Sequence, residues 1–184
     1  MKNAADPFAA VREATRKHRA RHGCGAYPYS NGGLLAALAA AANARRILEL
    51  GTALGYTALC LAHGAPNAVV DTIEQDSEHV RLARENVTAA KLDGHVVVHE
   101  GDFADVLPQL DPGFDIAFFD GFAPAPPILK SLRGLLRARG LLISANLTHG
   151  GKPVESYRAA LLDESKWLTA FADKDHETAI SIKL

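Results

Sequence analysis

Glu49, Gly51, Gly55 and Glu74 are the residues whose types and spacing could do chemistry. Ile47-Leu48-Glu49-Leu50 is an apolar run holding one carboxylate, and it leads into Gly51-Thr52-Ala53-Leu54-Gly55-Tyr56-Thr57. Glycine at 51 lets the backbone turn sharply and approach a ligand, because no Cβ intervenes. A helix starting near Gly55 presents free N–H groups to whatever sits before it. Glu74 stands 23 residues after Gly51, about where a nucleotide-binding α/β fold places a carboxylate for ribose hydroxyls. The pair reads as a site for a nucleoside cofactor. Taken alone, the turn is equally compatible with an ordinary strand–turn–helix junction.

What the turn lacks narrows the cofactor. A dinucleotide turn needs a second glycine where this chain has Ala53, and the G-K-[ST] ending of a phosphate-binding loop is absent. Glu49 ahead of the turn would repel phosphates and attract an amino group. An adenosyl ligand with a zwitterionic tail and no phosphate fits these residues, which points to S-adenosylmethionine.

The elements that must position these residues alternate along the chain. Apolar runs predict strands at 46–50, 68–73, 95–99, 114–119 and 140–145, and helical patterns predict helices at 56–63, 77–91, 103–109 and 125–138. Two helices, at 6–21 and 34–42, precede them, separated by a Gly- and aromatic-rich loop at 23–33. Continuous apolar runs such as Ile116-Ala117-Phe118-Phe119 suit strands buried on both faces of a parallel sheet. The expected fold is α/β, a doubly wound Rossmann-like sheet of seven mostly parallel strands with helices on both faces. After a helix at 153–163, runs at 166–172 and 178–183 predict an antiparallel hairpin closing one edge. In such a sheet the ligand lies beyond the carboxyl ends of the strands. Those ends deliver Glu49, Glu74, Asp102, Asp120 and Asn146 to one rim.

Bulk properties exclude several classes. With 184 residues, 48% apolar and 22% charged, the chain reads as one domain over 1–184, residues 1–45 being N-terminal helices and a substrate-facing loop. A formal net charge of −1 gives no basic excess for a nucleic acid partner, and Arg12, Arg16, Lys17, Arg19 and Arg21 read as the wet face of a helix. Two cysteines, Cys24 and Cys60, have no metal-type spacing. The run at 34–42 is too short to span a bilayer, so a cytoplasmic protein without a membrane segment is expected.

Over residues 30–184 the chain resembles the class I S-adenosylmethionine-dependent methyltransferases, specifically the O-methyltransferases of the catechol and caffeoyl-CoA type. The motifs that carry it are Ser30-Asn31-Gly32-Gly33-Leu34-Leu35, the Leu48–Thr57 turn, Thr72-Ile73-Glu74-Gln75-Asp76, Glu100-Gly101-Asp102-Phe103, Phe114–Gly121, Arg139–Asn146 and Ala179–Leu184. The resemblance implies methylation of a hydroxyl on a small-molecule acceptor. It places Asn31, Glu49, Gly51, Thr52, Gly55, Tyr56 and Thr57 around the methionine tail, Glu74 and Gln75 at the ribose, and Gly101-Asp102-Phe103 at the adenine. Asp120 would close the site near the reacting centre. Two departures stand out. Metal-dependent relatives carry Asp-Asn where this chain has Ala145-Asn146, and a lysine a few residues after the aspartate, where this chain has Phe122-Ala123-Pro124. A divalent metal such as Mg²⁺ is therefore not expected to be required, and Asp120 and Asn146 would hold one only weakly. His149, beside Asn146, is the replacement base considered with Asp120, while His22, Tyr27 and Tyr29 could reach over the site. The resemblance also implies a homodimer, to which the helix at 34–42 could contribute. Two other readings stay open: a methyltransferase for tRNA or another macromolecule, and a cofactor-binding partner protein without catalysis.

Overall fold

The computed structural model describes residues 6–148 and 150–184. Helices α1 (Ala9–His22) and α2 (Gly32–Ala41) precede five strands: β1 (Arg46–Leu50), β2 (Val69–Glu74), β3 (Val96–Glu100), β4 (Phe114–Phe119) and β5 (Leu136–Ser144). Between the strands run α3 (Tyr56–Gly64), α4 (Ser77–Ala89), α5 (Phe103–Val106) with a 3-10 turn at Leu107–Gln109, and α6 (Pro126–Leu135). Then come α7 (Lys152–Leu161), β6 (Trp167–Phe171) and β7 (Ala179–Lys183).

The strand order is β3-β2-β1-β4-β5-β7-β6, with β7 antiparallel to both of its neighbours and the other pairings parallel. Side chains alternate across the sheet. Ile47, Val70, Ile116, Phe118 and Ile143 share one core with α2, α3 and α4, while Leu48, Leu50, Ile73, Phe119 and Leu142 share the other with α6 and α7. Burial on both faces is why these strands read as unbroken apolar runs.

One expectation is corrected. The helix expected over 125–138 stops at Leu135, and residues 136–139 enter β5. Gly113 N–H donates to Leu135 O at 2.8 Å and Leu136 pairs with Phe114, so sheet pairing captures a stretch whose local pattern is helical. The register then shifts, with Arg139 at a φ of 61°. The terminal hairpin forms at one edge as expected, with β7 between β5 and β6 and β6 outermost. The inner place goes to the strand with more apolar burial: Ala179 is fully buried and Ile180 and Ile182 pack against the core, whereas Leu168 on β6 is exposed.

Strand order grows one way from β1 through β2 to β3 and the other way from β4 to β5. The carboxyl ends of β1 and β4 therefore part at the switch point and open a crevice.

Candidate active site

That crevice is a cleft of about 390 Å³, walled by the turn after β1, the ends of β2, β3 and β4, and the loop that follows α1. Gly51 has a φ of 99°, and a Cβ there would come within 3.2 Å of the Asp120 carbonyl. Glycine is needed at this position because the turn passes against the end of β4 in a left-handed conformation. Gly55, with a φ of 90°, precedes α3 and places no side chain over the first N–H groups of that helix. The start of α3 stays available to a ligand.

Glu74 is held by three backbone N–H groups: Ala53 donates to Oε2 at 2.9 Å, and Gln75 and Asp76 donate to Oε1 at 2.9 and 3.0 Å. These bonds tie the turn after β1 to the end of β2 and fix the carboxylate in the cleft wall. Asp102 caps α5, accepting from Ala104 N–H at 2.8 Å, and Phe103 packs edge-on against Phe119 at 6.2 Å. Gly51, Thr52, Tyr56, Thr57, Glu74, Gln75, Gly101, Asp102, Phe103 and Asp120 all line the cleft, with Gly55 directly behind the turn. Tyr27, Pro28 and Tyr29 also line it, as does Phe122, which is 82% exposed.

Four expected residues stand elsewhere. Asn31 caps α2, accepting from Leu34 N–H at 3.1 Å, and does not reach the cleft. Glu49 is fully buried beneath the turn rather than on the rim. Strand alternation puts it on the face of Ile47, under α3, opposite its register partner Thr72. The Thr72 hydroxyl donates to Glu49 Oε2 at 2.5 Å, and the Thr52 and Thr72 hydroxyls meet at 2.6 Å. Glu49 Oε1 has no hydrogen-bond partner among the described residues. Asn146 packs behind Asp120 instead of lining the cleft. His149 lies outside the described residues. His22 is turned away from the cleft, stacked on His18 with ring centroids 4.3 Å apart.

Several lining residues had no signal of their own in the sequence. Thr15 and Cys24 reach the cleft through the path of α1 and its loop, and His79 through the first turn of α4. Asp76 followed the Glu74-Gln75 pair and could have been read with it.

Charge in the cleft is one-sided. Glu74, Asp76, Asp102 and Asp120 line it, Glu49 lies below, and no lysine or arginine does so among the described residues. Burial above all, then the charge of Glu49, raises the Asp120 carboxyl well above the usual carboxylate range; the Asn146 hydrogen bond opposes the rise. Such a cleft favours a cationic ligand and disfavours phosphate.

The donor set beside Asp120 fits Mg²⁺ poorly. Asn146 Nδ2 donates to Asp120 Oδ1 and O, both at 3.3 Å, and to Gly121 O at 3.1 Å. Three acceptors fix the amide with its NH₂ toward the carboxylate, and the neighbouring Ala145 offers no side-chain oxygen. An octahedral oxygen shell would rest on one carboxylate.

Comparison with known proteins places the fold and this site in context. The chain belongs to the O-methyltransferase family, whose model matches residues 3–166. It is 34% identical over 134 residues to a catechol O-methyltransferase of Niastella koreensis, covering 68% of this chain and 60% of that one. A catechol O-methyltransferase of Mycobacterium tuberculosis is 42% identical over 91 residues, covering 48% of this chain and 41% of that one. The aligned chain thus spans less than two thirds of the length of these curated relatives. An O-methyltransferase from Bacillus cereus, solved in complex with SAH, superposes with a TM-score of 0.78 at 24% identity, covering 95% of this chain and 91% of that one, and shares the fold. Among the described residues no helix is long and apolar enough to cross a membrane.

Proposed function

We propose that the protein binds S-adenosylmethionine in the cleft and transfers its methyl group to the hydroxyl of a small, aromatic acceptor, with no strict need for a metal. The observation that carries the reading is the arrangement of carboxylates at successive strand ends around an open helix start, with no lysine or arginine among the described lining residues. A sulfonium with an ammonium tail is the cofactor such a field attracts. Family membership and the SAH bound to the Bacillus cereus relative support it.

The cofactor supplies an electrophilic methyl on sulfur, and the protein's work is positioning and proton transfer. Gly51, Thr52, Gly55, Tyr56 and Thr57 surround the amino-acid tail. Glu74 and Gln75 take the ribose hydroxyls, and Gly101, Asp102 and Phe103 border the adenine. Tyr27, Tyr29 and Phe122 hold the acceptor ring at the mouth and exclude water. Asp120, its carboxyl raised well above the usual carboxylate range by burial, receives the acceptor's proton at a carboxylate oxygen, with Asn146 orienting it and His149 as a second base. A macromolecular acceptor is not favoured: Arg12 pairs with Asp6 at 3.4 Å, and Arg16 and Lys17 pair with Glu13 at 3.8 Å. A cytoplasmic location and a homodimer complete the reading.

Calorimetric titration with S-adenosylhomocysteine tests it. The intact protein should bind one equivalent, and Glu74→Ala should lose roughly 10- to 100-fold in affinity, as expected when charged hydrogen bonds are removed. No binding by the intact protein would sink the cofactor assignment.

A further inference from the structure

One group of metal-ligating side chains has no role above in holding the cofactor or acceptor, although Cys24 and His79 line the cleft wall. His18 on α1, Cys24 in the loop after it and His79 on α4 each offer a ligand atom, and the three atoms lie within 4.8 Å of one another. His18 also forms such a group with His22, one turn further along α1, and Glu78. The rings are already gathered: His18 stacks on His22 at 4.3 Å and meets His79 edge-on at 5.1 Å. His79 is buried, only 6% exposed, and its Nδ1 faces Glu74 Oε1 at 3.9 Å, too long for a hydrogen bond.

We propose that His18, Cys24 and His79 bind one Zn²⁺ ion, which fastens the N-terminal helix and its loop to α4 at the cleft wall. Two imidazoles and a thiolate are borderline-soft donors, suited to Zn²⁺ and unsuited to Mg²⁺ or Ca²⁺. Tetrahedral coordination at about 2.0–2.3 Å requires the three donors to close by roughly 1 Å. Only α1 and its loop need move, and α1 buries a single side chain, Thr15. Three protein ligands leave a fourth position, which water or His22 fills. Binding releases the Cys24 thiol proton to solvent and involves no change in oxidation state. The inference does not depend on the cofactor reading, since its readouts are metal binding and stability rather than methyl transfer.

The test uses the metal-free 184-residue chain. Co²⁺ should bind one equivalent and give a thiolate-to-metal charge-transfer band in the near ultraviolet, with visible bands of tetrahedral intensity. Zn²⁺ should displace it, and Zn²⁺ affinity is then read by competition with a chromophoric chelator. Cys24→Ser should abolish the charge-transfer band, and Cys24→Ser and His18→Ala should each weaken Zn²⁺ by at least roughly 10-fold, the loss that removing even an outer-shell partner of a ligand produces. Asp120→Asn should bind Zn²⁺ like the wild type, separating this site from the end of β4. Zn²⁺ should raise the thermal midpoint of the wild type and not of the two ligand variants. Either variant melts without zinc, so its folding is checked in the same experiment. Absence of the charge-transfer band, or wild-type Zn²⁺ affinity in both ligand variants, would overturn the proposal.

Discussion

The carboxyl of Glu49, sealed beneath the turn, makes folding depend on pH. It is pushed up from 4.5 to about 7, mainly by burial and further by the charge of Glu74, while the Thr57 and Thr72 hydroxyls pull it down. Between these values the folded chain keeps a proton that the unfolded chain has released, so stability falls as pH rises through the window. A rise of this size corresponds to about 3 kcal/mol once both states have ionised. Glu49→Gln keeps the shape and removes the charge. Urea unfolding at about pH 8 should find it more stable than the wild type, by up to about 3 kcal/mol, with the difference vanishing toward the unfolded value. Equal stability at the higher pH would show that the carboxylate is compensated in the fold. At this scale the sequence was readable wherever a residue's place followed from the end of an apolar run, as for Gly51, Glu74 and Asp120. Glu49 was misplaced because one step of strand alternation decides between rim and core, and its parity with Ile47 was the available clue. Asn31 was readable only as a cap. Asn146 lies behind Asp120 because its backbone takes a left-handed φ of 60° after β5, which nothing in Ala145-Asn146-Leu147 announces.

Helix packing sets how tightly the turn is backed. Gly64, at the end of α3, lies against α2 so closely that a Cβ would come within 2.1 Å of the Ala36 carbonyl oxygen. Gly64→Ala must push the two helices apart and is expected to cost about 1–3 kcal/mol, lowering the thermal midpoint by several degrees. Gly134, inside α6, has nothing within 4 Å of its would-be Cβ. There the same substitution should raise stability by about 0.5–1 kcal/mol, because alanine is the better helix former. Paired thermal melts that moved in the same direction would contradict this assignment of contacts. The alternation of strands and helices was legible because both faces of each parallel strand are buried. Residues 136–139 were not, since Leu136-Arg137-Ala138-Arg139 has good helical propensity and only its pairing partner, Phe114, decides otherwise. The order of β6 and β7 likewise depends on which strand fills the space beside β5, and both runs carry similar apolar patterns.

For the molecule as a whole, the position of the cleft followed from topology, while the path of the N-terminal segment over it did not. Gly23 to Ser30 forms no regular element, and an irregular segment carries no periodicity to read. The same contrast divides stability. The sheet is buried between two apolar cores, whereas α1 is held by a handful of contacts: Tyr56 Oη donates to Asp6 Oδ2 at 2.8 Å, Arg12 pairs with Asp6 at 3.4 Å, and Phe8 meets His63 edge-on at 5.9 Å. Elements that bury little apolar surface open at lower free energy than the core that supports them. The α1 amides should therefore exchange with deuterium well before those of β1 and β4. Tyr56→Phe deletes the hydroxyl that ties Asp6 to the start of α3 and leaves the ring in place. Loss of that bond at a partly exposed site is expected to cost about 1 kcal/mol, accelerating α1 exchange roughly five-fold. The rates in β1 and β4 should stay as in the wild type. An equal acceleration across α1, β1 and β4 would mean that the segment opens only with the whole fold, and that its hold on the cleft is as strong as the sheet itself.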